Sequence, residues 1–369
     1  MRTRTRISHA HETNVGGAEL ESPLSLAIMA LRWGILGAGK IAHDFVVALK
    51  TLPESEYQVA AVAEMSAEPA QQFAATHSIP RSYGSFEELM RDPEVDIIYI
   101  ATIHVTHLDI GLQVLEAGKP VLCEKPMTMN GRDTKALISK AREKGLFLME
   151  ATWMRFFPAI VELRQMIAEG YLGEVKFVRA NFTFRRPPDR AEGRLTDPKL
   201  GGGSVLDVGV YTISFATMIF GGERPEKIYA QGTLLSTGVD DLAVITLTYS
   251  GGRIAQLSCS ISYDISCDAV VCGTKGELRL PHPFWCPTKL TSTEGVYAKE
   301  AIAKEYSLPT PYLPGNYPNC TGLRYEAQEV YTCLKEGRNE SSVMPLDESL
   351  IVAEVAEEVM RQIGVVHCK

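Results

Sequence analysis

No cysteine or histidine in this chain is spaced to hold a metal, and no cysteine pattern suggests a disulfide framework. Eight cysteines (Cys123, Cys259, Cys267, Cys272, Cys286, Cys320, Cys333 and Cys368) are scattered without a Cys-x-x-Cys pair or a Cys/His ligand spacing, the arrangement a structural zinc site needs. Cys123 sits in the apolar run Val121-Leu122-Cys123, where a thiol reads as a small buried hydrophobe in a reducing compartment. The expectation is a cytoplasmic protein without a metal. Positive charge is also scarce. Against 45 Asp and Glu stand 37 Lys and Arg, giving a net charge of −8 and a pI near 5.6. Nucleic-acid and acidic-membrane binders carry the opposite surplus, so neither partner is expected. No apolar run approaches the length of a bilayer span, and internal repeats and low-complexity tracts are lacking.

The first 28 residues lack an apolar core. Arg2, Arg4 and Arg6 make a basic start with no apolar stretch behind it, unlike a secretory signal, and Glu12, Glu19 and Glu21 speak against a mitochondrial presequence. Residues 1–28 are expected to be a disordered extension, with Met29 as an alternative start.

The rest is ordinary for a folded chain: 45% hydrophobic and 22% charged. Its 369 residues favour two domains. From Leu31 to Met149 short apolar strands alternate with helices (strands at 31–36, 57–63, 97–101, 120–123 and 146–149; helices to 49 and at 69–77, 106–117 and 132–144). Crossovers of this kind demand a mostly parallel sheet covered on both faces. Beyond Glu150 the pattern changes to longer strands at 177–184, 227–234, 243–249, 253–261 and 269–280, several joined by glycine turns such as Gly251-Gly252. That predicts an open, mostly antiparallel sheet with helices on one face, closed by helices at 323–336 and 348–363. The chain therefore reads as α/β, with a doubly wound dinucleotide-binding domain over 29–150 and an α+β domain over 151–369.

Gly37-Ala38-Gly39-Lys40-Ile41-Ala42 follows the first strand and opens a helix. The first glycine permits the tight turn, the second lets backbone approach a pyrophosphate, and the small Ala42 lets helix and strand pack closely. Free amides at the helix start would then hold the phosphates. The second strand ends Val62-Ala63-Glu64-Met65-Ser66. An acid there accepts hydrogen bonds from the ribose of NAD and repels a 2′-phosphate, which favours NAD; the alternative is a solvated loop carboxylate.

The strand at 120–123 leads through Val121-Leu122-Cys123 into Glu124-Lys125-Pro126, which points Lys125 into the crevice where ligands of such sheets bind. A cationic nicotinamide and partial burial there would lower its pKa and suit it to proton transfer. Farther on, Gly201-Gly202-Gly203-Ser204 leads into Asp207 and Tyr211, four apart and so on one face of a helix. Asp207 also lies three after Ser204, so a capping box is open as an alternative, and Tyr211 also suits an amphipathic core position.

Glu124-Lys125-Pro126, the segment Met149-Glu150-Ala151 to Arg155-Phe156-Phe157-Pro158, the triple glycine with its Asp, and Gly273-Thr274-Lys275-Gly276 occur in order. Together they resemble the glucose–fructose oxidoreductase/inositol dehydrogenase family from Met29 to the C-terminus. General members carry a histidine four residues after the Asp, whereas this chain has Tyr211. That change, with Thr102-Ile103-His104-Val105-Thr106-His107 and Phe284-Trp285-Cys286-Pro287, is similar to the family's dihydrodiol dehydrogenase branch. The resemblance implies oxidation of trans-dihydrodiols of aromatic hydrocarbons to catechols, or of D-xylose at its anomeric carbon, with NADP. It implies Lys125 and Tyr211 as catalytic pair, Tyr211 moving the proton, and Asp207 fitting the alcohol. The cofactor would lie along Gly37, Gly39, Lys40, Ile41 and Glu64 and against Tyr99, His104, His107, Glu124 and Lys125, although both histidines also suit a loop without cofactor contact. By residue type, Trp153, Phe182 and Trp285 are candidates for an apolar wall. A homodimer is implied, formed through the exposed face of the large sheet.

Two cues disagree. NADP-preferring relatives place an arginine where this chain has Met65, so the resemblance implies NADP while Glu64-Met65 points to NAD. Another sugar or cyclitol dehydrogenase is the alternative activity. A non-catalytic dinucleotide sensor, also built on this fold, has no need of both Lys125 and Tyr211.

Overall fold

The structure is a computed structural model that describes residues 30–186, 193–294 and 300–365. The expected extension over 1–28 and Cys368 lie outside the described residues. The first half runs β1 (Leu31–Leu36), α1 (Lys40–Leu49), β2 (Tyr57–Ala63), α2 (Ala67–His77), β3 (Arg81–Tyr83), α3 (Phe86–Met90), β4 (Ile97–Ile100), α4 (His107–Glu116), β5 (Val121–Glu124), α5 (Gly131–Lys144) and β6 (Leu148–Ala151). Its six strands pair in the order β3-β2-β1-β4-β5-β6, all parallel. β4, β5 and β6 are buried at every position, as strands covered on both faces must be. The order reverses between β1 and β4, which opens a crevice at the carboxyl ends of those strands.

The second half continues with α6 (Pro158–Ala168), β7 (Val175–Thr183), α7 (Val210–Ile219), β8 (Lys227–Leu234), β9 (Asp240–Tyr249), β10 (Arg253–Ser260), β11 (Ala269–Gly273), β12 (Gly276–Leu280), β13 (Lys289–Glu294), β14 (Glu300–Glu305), α8 (Arg324–Lys335) and α9 (Leu346–Ile363). Its eight strands lie in the order β14-β13-β12-β11-β7-β10-β9-β8. All pairs are antiparallel except β7 with β10. Ala243, Ile245 and Leu247 of β9 are buried on the side carrying α7 and α9, while Val244, Tyr229 of β8 and Ile254 of β10 stay exposed on the open face.

Four expectations need correction. The run 269–280 is a hairpin rather than one strand, because Thr274-Lys275 turns β11 back into β12. Its Gly273 has no room for a Cβ, which would fall 2.2 Å from the carbonyl of Leu172. β13 and β14 were not expected, since a Ser/Thr/Lys/Glu-rich edge strand shows little apolar alternation. Neither was α6, which Pro158 starts at a position that tolerates the missing amide. Finally, Pro198–Ile219 is long and apolar enough by length and composition to cross a bilayer. It is 89% buried inside the fold, so its apolar character belongs to a core helix.

Arg155 explains how this core tolerates a charge. Fully buried, it donates to the hydroxyl and carbonyl of Ser214 (2.9 and 3.0 Å), the carbonyl of Val343 (3.1 Å) and the carboxylate of Glu348 (2.6 Å). It thereby ties the turn after β6 to α7 and α9, and a buried cation needs such complete pairing.

Candidate active site

The cofactor turn sits at the carboxyl end of β1. Gly37 has φ +99°, and a Cβ there would meet the Ala101 carbonyl at 3.0 Å. Around Gly39 nothing lies within 4 Å of a Cβ position, so the backbone faces open space. α1 starts at Gly39 without a side-chain cap or an acid in its first turn, which leaves its leading amides for an anion. Ala42 is fully buried, letting the helix close on the sheet. Lys40 is exposed and Ile41 half-buried at the mouth of the turn. This cradle fits a dinucleotide pyrophosphate.

Glu64 does not hang free in solvent. Its carboxylate accepts the Ala38 amide (2.7 Å) and its neighbour's, that of Met65 (3.1 Å), so it braces the glycine turn from the tip of β2. Met65 is 76% exposed beside it.

At the end of β4 the two histidines spend their ring nitrogens on backbone. His107 faces the carbonyls of Pro126 (2.9 Å) and Thr102 (3.1 Å) and so fixes the Glu124-Lys125-Pro126 turn, whose Lys125–Pro126 bond is cis. His104 bonds the Gly201 carbonyl at 2.8 Å, linking the turn after β4 to the glycine run of the second half. Burial lowers the pKa of both, that of His104 to about 3, so His104 is neutral. Both histidines shape the crevice through backbone. Tyr99 is fully buried and donates to Glu124 behind the same turn.

Lys125, Asp207 and Tyr211 come together, in a geometry the spacing alone did not give. Val205–Gly209 is a π-helical turn ahead of α7, a form frequent at functional sites. Lys125 Nζ donates to the backbone carbonyl of Asp207 at 2.8 Å and lies 5.0 Å from the ring centre of Tyr211. The Asp207 carboxylate turns to Arg194, 2.6 Å away. No capping box forms. Ser204 donates instead to Asp240 of β9 (2.7 Å), which also accepts the amide of Val205 (2.7 Å). Burial alone would raise the pKa of Asp207, but Lys125 and Arg194 outweigh it and hold the carboxyl ionised. Tyr211 accepts a hydrogen bond from Trp153 Nε1 at 2.7 Å. Burial, and next the charge of Glu124, push its phenol well above 10.

The aromatic candidates form one wall. Phe182 stacks on Trp285 (centroids 3.8 Å apart, planes 16°) and lies 5.5 Å from Tyr211, which Trp153 holds from the other side. Trp285 is half-buried at the end of this wall.

Several site residues escaped sequence reasoning. Arg194 lies in a loop with no periodicity. Buried Asp44 of α1 accepts the amides of Asn316 and Tyr317 (both 2.8 Å) and the Asn316 side chain (2.9 Å), so residues 314–317 cross the dinucleotide helix. That crossing places Tyr317 where its phenol feels the charges of Asp207 and Arg194. Among the described residues no group of three His, Cys, Asp or Glu side chains is arranged to hold a metal.

Residues 31–152 match the model described as oxidoreductase family, NAD-binding Rossmann fold, and residues 160–279 match the GFO/IDH/MocA C-terminal domain. The chain is 46% identical over 339 residues to a trans-1,2-dihydrobenzene-1,2-diol dehydrogenase of Danio rerio, covering 92% of this chain and 98% of the relative. To the protein of that name from Homo sapiens it is 44% identical over 342 residues, covering 91% and 98%. Among solved structures, a levoglucosan dehydrogenase complexed with NADH and levoglucosan superposes with a TM-score of 0.79 at 20% identity, covering 90% of this chain and 97% of that one. A 3-ketoreductase from Actinomadura kijaniata with NADP and TDP-benzene gives 0.75 at 23% identity, covering 90% and 98%. With both halves matched and this identity along nearly its whole length, the chain belongs to the GFO/IDH/MocA family of NAD(P)-dependent oxidoreductases.

Proposed function

We propose that this dehydrogenase oxidises a trans-dihydrodiol of an aromatic hydrocarbon to a catechol, or D-xylose at its anomeric carbon, and that it uses NADP, the cofactor the family resemblance implies. The observation that carries the reading is the juxtaposition of Lys125 and Tyr211 with the wall of Phe182, Trp285 and Trp153. An apolar ring fits that wall, and the ionised Asp207 beside Arg194 offers an acceptor and a donor for neighbouring hydroxyls. Tyr211 takes the proton of the alcohol, and Lys125 stabilises negative charge on the phenol oxygen. A dinucleotide held by the Gly37-Ala38-Gly39 turn and the leading amides of α1 would supply the hydride acceptor. The aromatic wall favours the ring diol over another sugar or cyclitol. Steady-state oxidation of a diol and aldose panel with NAD and NADP side by side tests this; turnover confined to cyclitols would sink it.

The domains are read as 29–150 for the dinucleotide and 151–369 for substrate and dimerisation. A homodimer through the open sheet face is supported by exposed Tyr229, Val244 and Ile254, and a monomer in sedimentation at micromolar concentration would remove it. Residence in the cytoplasm is supported by the seven free cysteines among the described residues, with cell fractionation as the check.

Glu64 tempers the preference for NADP. Its carboxylate is fastened beside the turn that a ribose must approach, where it repels a 2′-phosphate. Glu64→Ser with Met65→Arg removes the repulsion and adds a bidentate phosphate donor. The double change is expected to raise kcat/KM for NADP relative to NAD by at least about tenfold, roughly 1.4 kcal/mol. An unchanged ratio would mean that Glu64 only braces the loop.

A further inference from the structure

Each glycine of the run Gly201-Gly202-Gly203 gives the place of its missing side chain to a different part of the fold. A Cβ on Gly201 would collide with the His104 ring, one on Gly202 would fall 2.7 Å from the Leu195 carbonyl oxygen, and one on Gly203 would collide with the Asp240 carboxylate. The turn after β4, the loop at 193–197 and the start of β9 therefore meet on three consecutive residues. The loop is a compact turn. Its Gly193 carbonyl accepts the amides of Thr196 (2.9 Å) and Asp197 (3.1 Å). The glycine run binds it in return, with the Gly202 amide on the Asp197 carbonyl at 3.0 Å and the Gly203 amide on that of Leu195 at 2.9 Å. Only a residue without a side chain lets two backbones lie this close.

What the loop presents is Arg194. Its guanidinium reaches Oδ1 of Asp207 at 2.6 Å, a charge-assisted hydrogen bond between two half-buried side chains. The other carboxylate oxygen has no partner among the described residues, while the backbone carbonyl of Asp207 takes Lys125 Nζ at 2.8 Å. One oxygen is thus fixed, and the second is left for the hydroxyl of a substrate beside Lys125 and Tyr211. The groups facing this ion pair are Lys125 from the end of β5, His104 from the turn after β4, Tyr317 from the crossing segment and Tyr211 one turn onward. His104 is neutral, so two cations flank one carboxylate. Burial works against the anion, and Lys125 and then Arg194 outweigh it.

We propose that Arg194, seated on the triple glycine, is a positioning residue that fixes the Asp207 carboxylate so that its free oxygen accepts a substrate hydroxyl. The inference rests on the dehydrogenase reading above, and it adds this role to the donor that Arg194 offers a hydroxyl directly. An arginine suits the task because its planar fork holds a carboxylate in one orientation, which the point charge of a lysine does not. Orientation and charge then have separate consequences. Without the fork, the substrate binds more weakly at every pH. Without the charge, Asp207 takes up a proton more readily, so kcat/KM begins to fall at a higher pH on the acid side.

Arg194→Met removes both. With a trans-dihydrodiol it should raise KM by at least about tenfold with a smaller loss in kcat, and move the acid limb of kcat/KM upward by at least about threefold in proton affinity. Arg194→Lys keeps the charge, so its limb should stay at the parent's position while KM remains raised. An unchanged KM in both variants, or a limb that moves as far in Arg194→Lys as in Arg194→Met, overturns the proposal. Should methionine at 194 not fold, the lysine variant alone must still raise KM at an unmoved limb. Calorimetric titration of the protein loaded with NAD or NADP, using catechol, needs no turnover, and its affinity should fall by at least about tenfold in Arg194→Met. If no alcohol is oxidised, the dehydrogenase reading falls and this titration still decides. Equal affinity in parent and variant, or no binding by the parent, overturns the role of Arg194.

Discussion

Lys125→Met is expected to fold, to bind dinucleotide nearly as well as the parent, and to lose about two to four orders of magnitude in turnover. The size follows from what the ammonium touches. It donates to the Asp207 carbonyl and lies above the Tyr211 ring, so it organises both partners of the alcohol at once. Methionine keeps the stem and its packing but carries no charge to steady a phenolate. Fold stability should drop by only about 1 kcal/mol, since one hydrogen bond to a backbone carbonyl is lost at a half-buried position. Dinucleotide fluorescence titration and kcat measured on the same preparation separate the two effects. Equal losses in affinity and turnover would make Lys125 a cofactor anchor instead of a catalytic group.

The residues that sequence made legible are those whose role is local. Gly37 and Gly39 are written into the turn because only glycine lets backbone come that close, and Lys125 is written into a strand end that must face the crevice. What stayed hidden joins distant segments. Trp153 and Tyr211 are 58 residues apart, and the Asp240 cap on the start of the 205–219 helix comes from a strand 35 residues away, which is why Ser204-x-x-Asp207 looked like a capping box. Arg194 was invisible for another reason. In Gly193-Arg194-Leu195 it reads as one more polar loop position, and only the packing of that loop onto Gly202 brings it to Asp207. β13 and the edge strand β14 beside it were missed because their sequence is largely polar, which is how natural sheets guard their edges.

Tyr211→Phe is the change that separates chemistry from packing. Turnover should fall by about two to four orders of magnitude, because the phenol oxygen is the group that exchanges the proton with the alcohol. By shape alone the substitution is silent, since Phe fills the same space against Phe182. The Trp153 indole changes that. Its N–H donates to the Tyr211 oxygen at 2.7 Å in a buried setting, and without that acceptor an orphan donor remains. Stability is therefore expected to fall by about 1 to 3 kcal/mol, the usual cost of leaving a buried polar group unpaired. Adding Trp153→Phe removes the orphan, so the double variant should recover a part of the stability lost to Tyr211→Phe, beyond what its own cavity takes away, and recover none of the rate. Denaturant midpoints and kcat for the two singles and the double complete the cycle. If turnover survives in Tyr211→Phe while stability drops as described, the phenol is a structural partner of Trp153, and the proton path must begin at the Asp207 carboxylate instead.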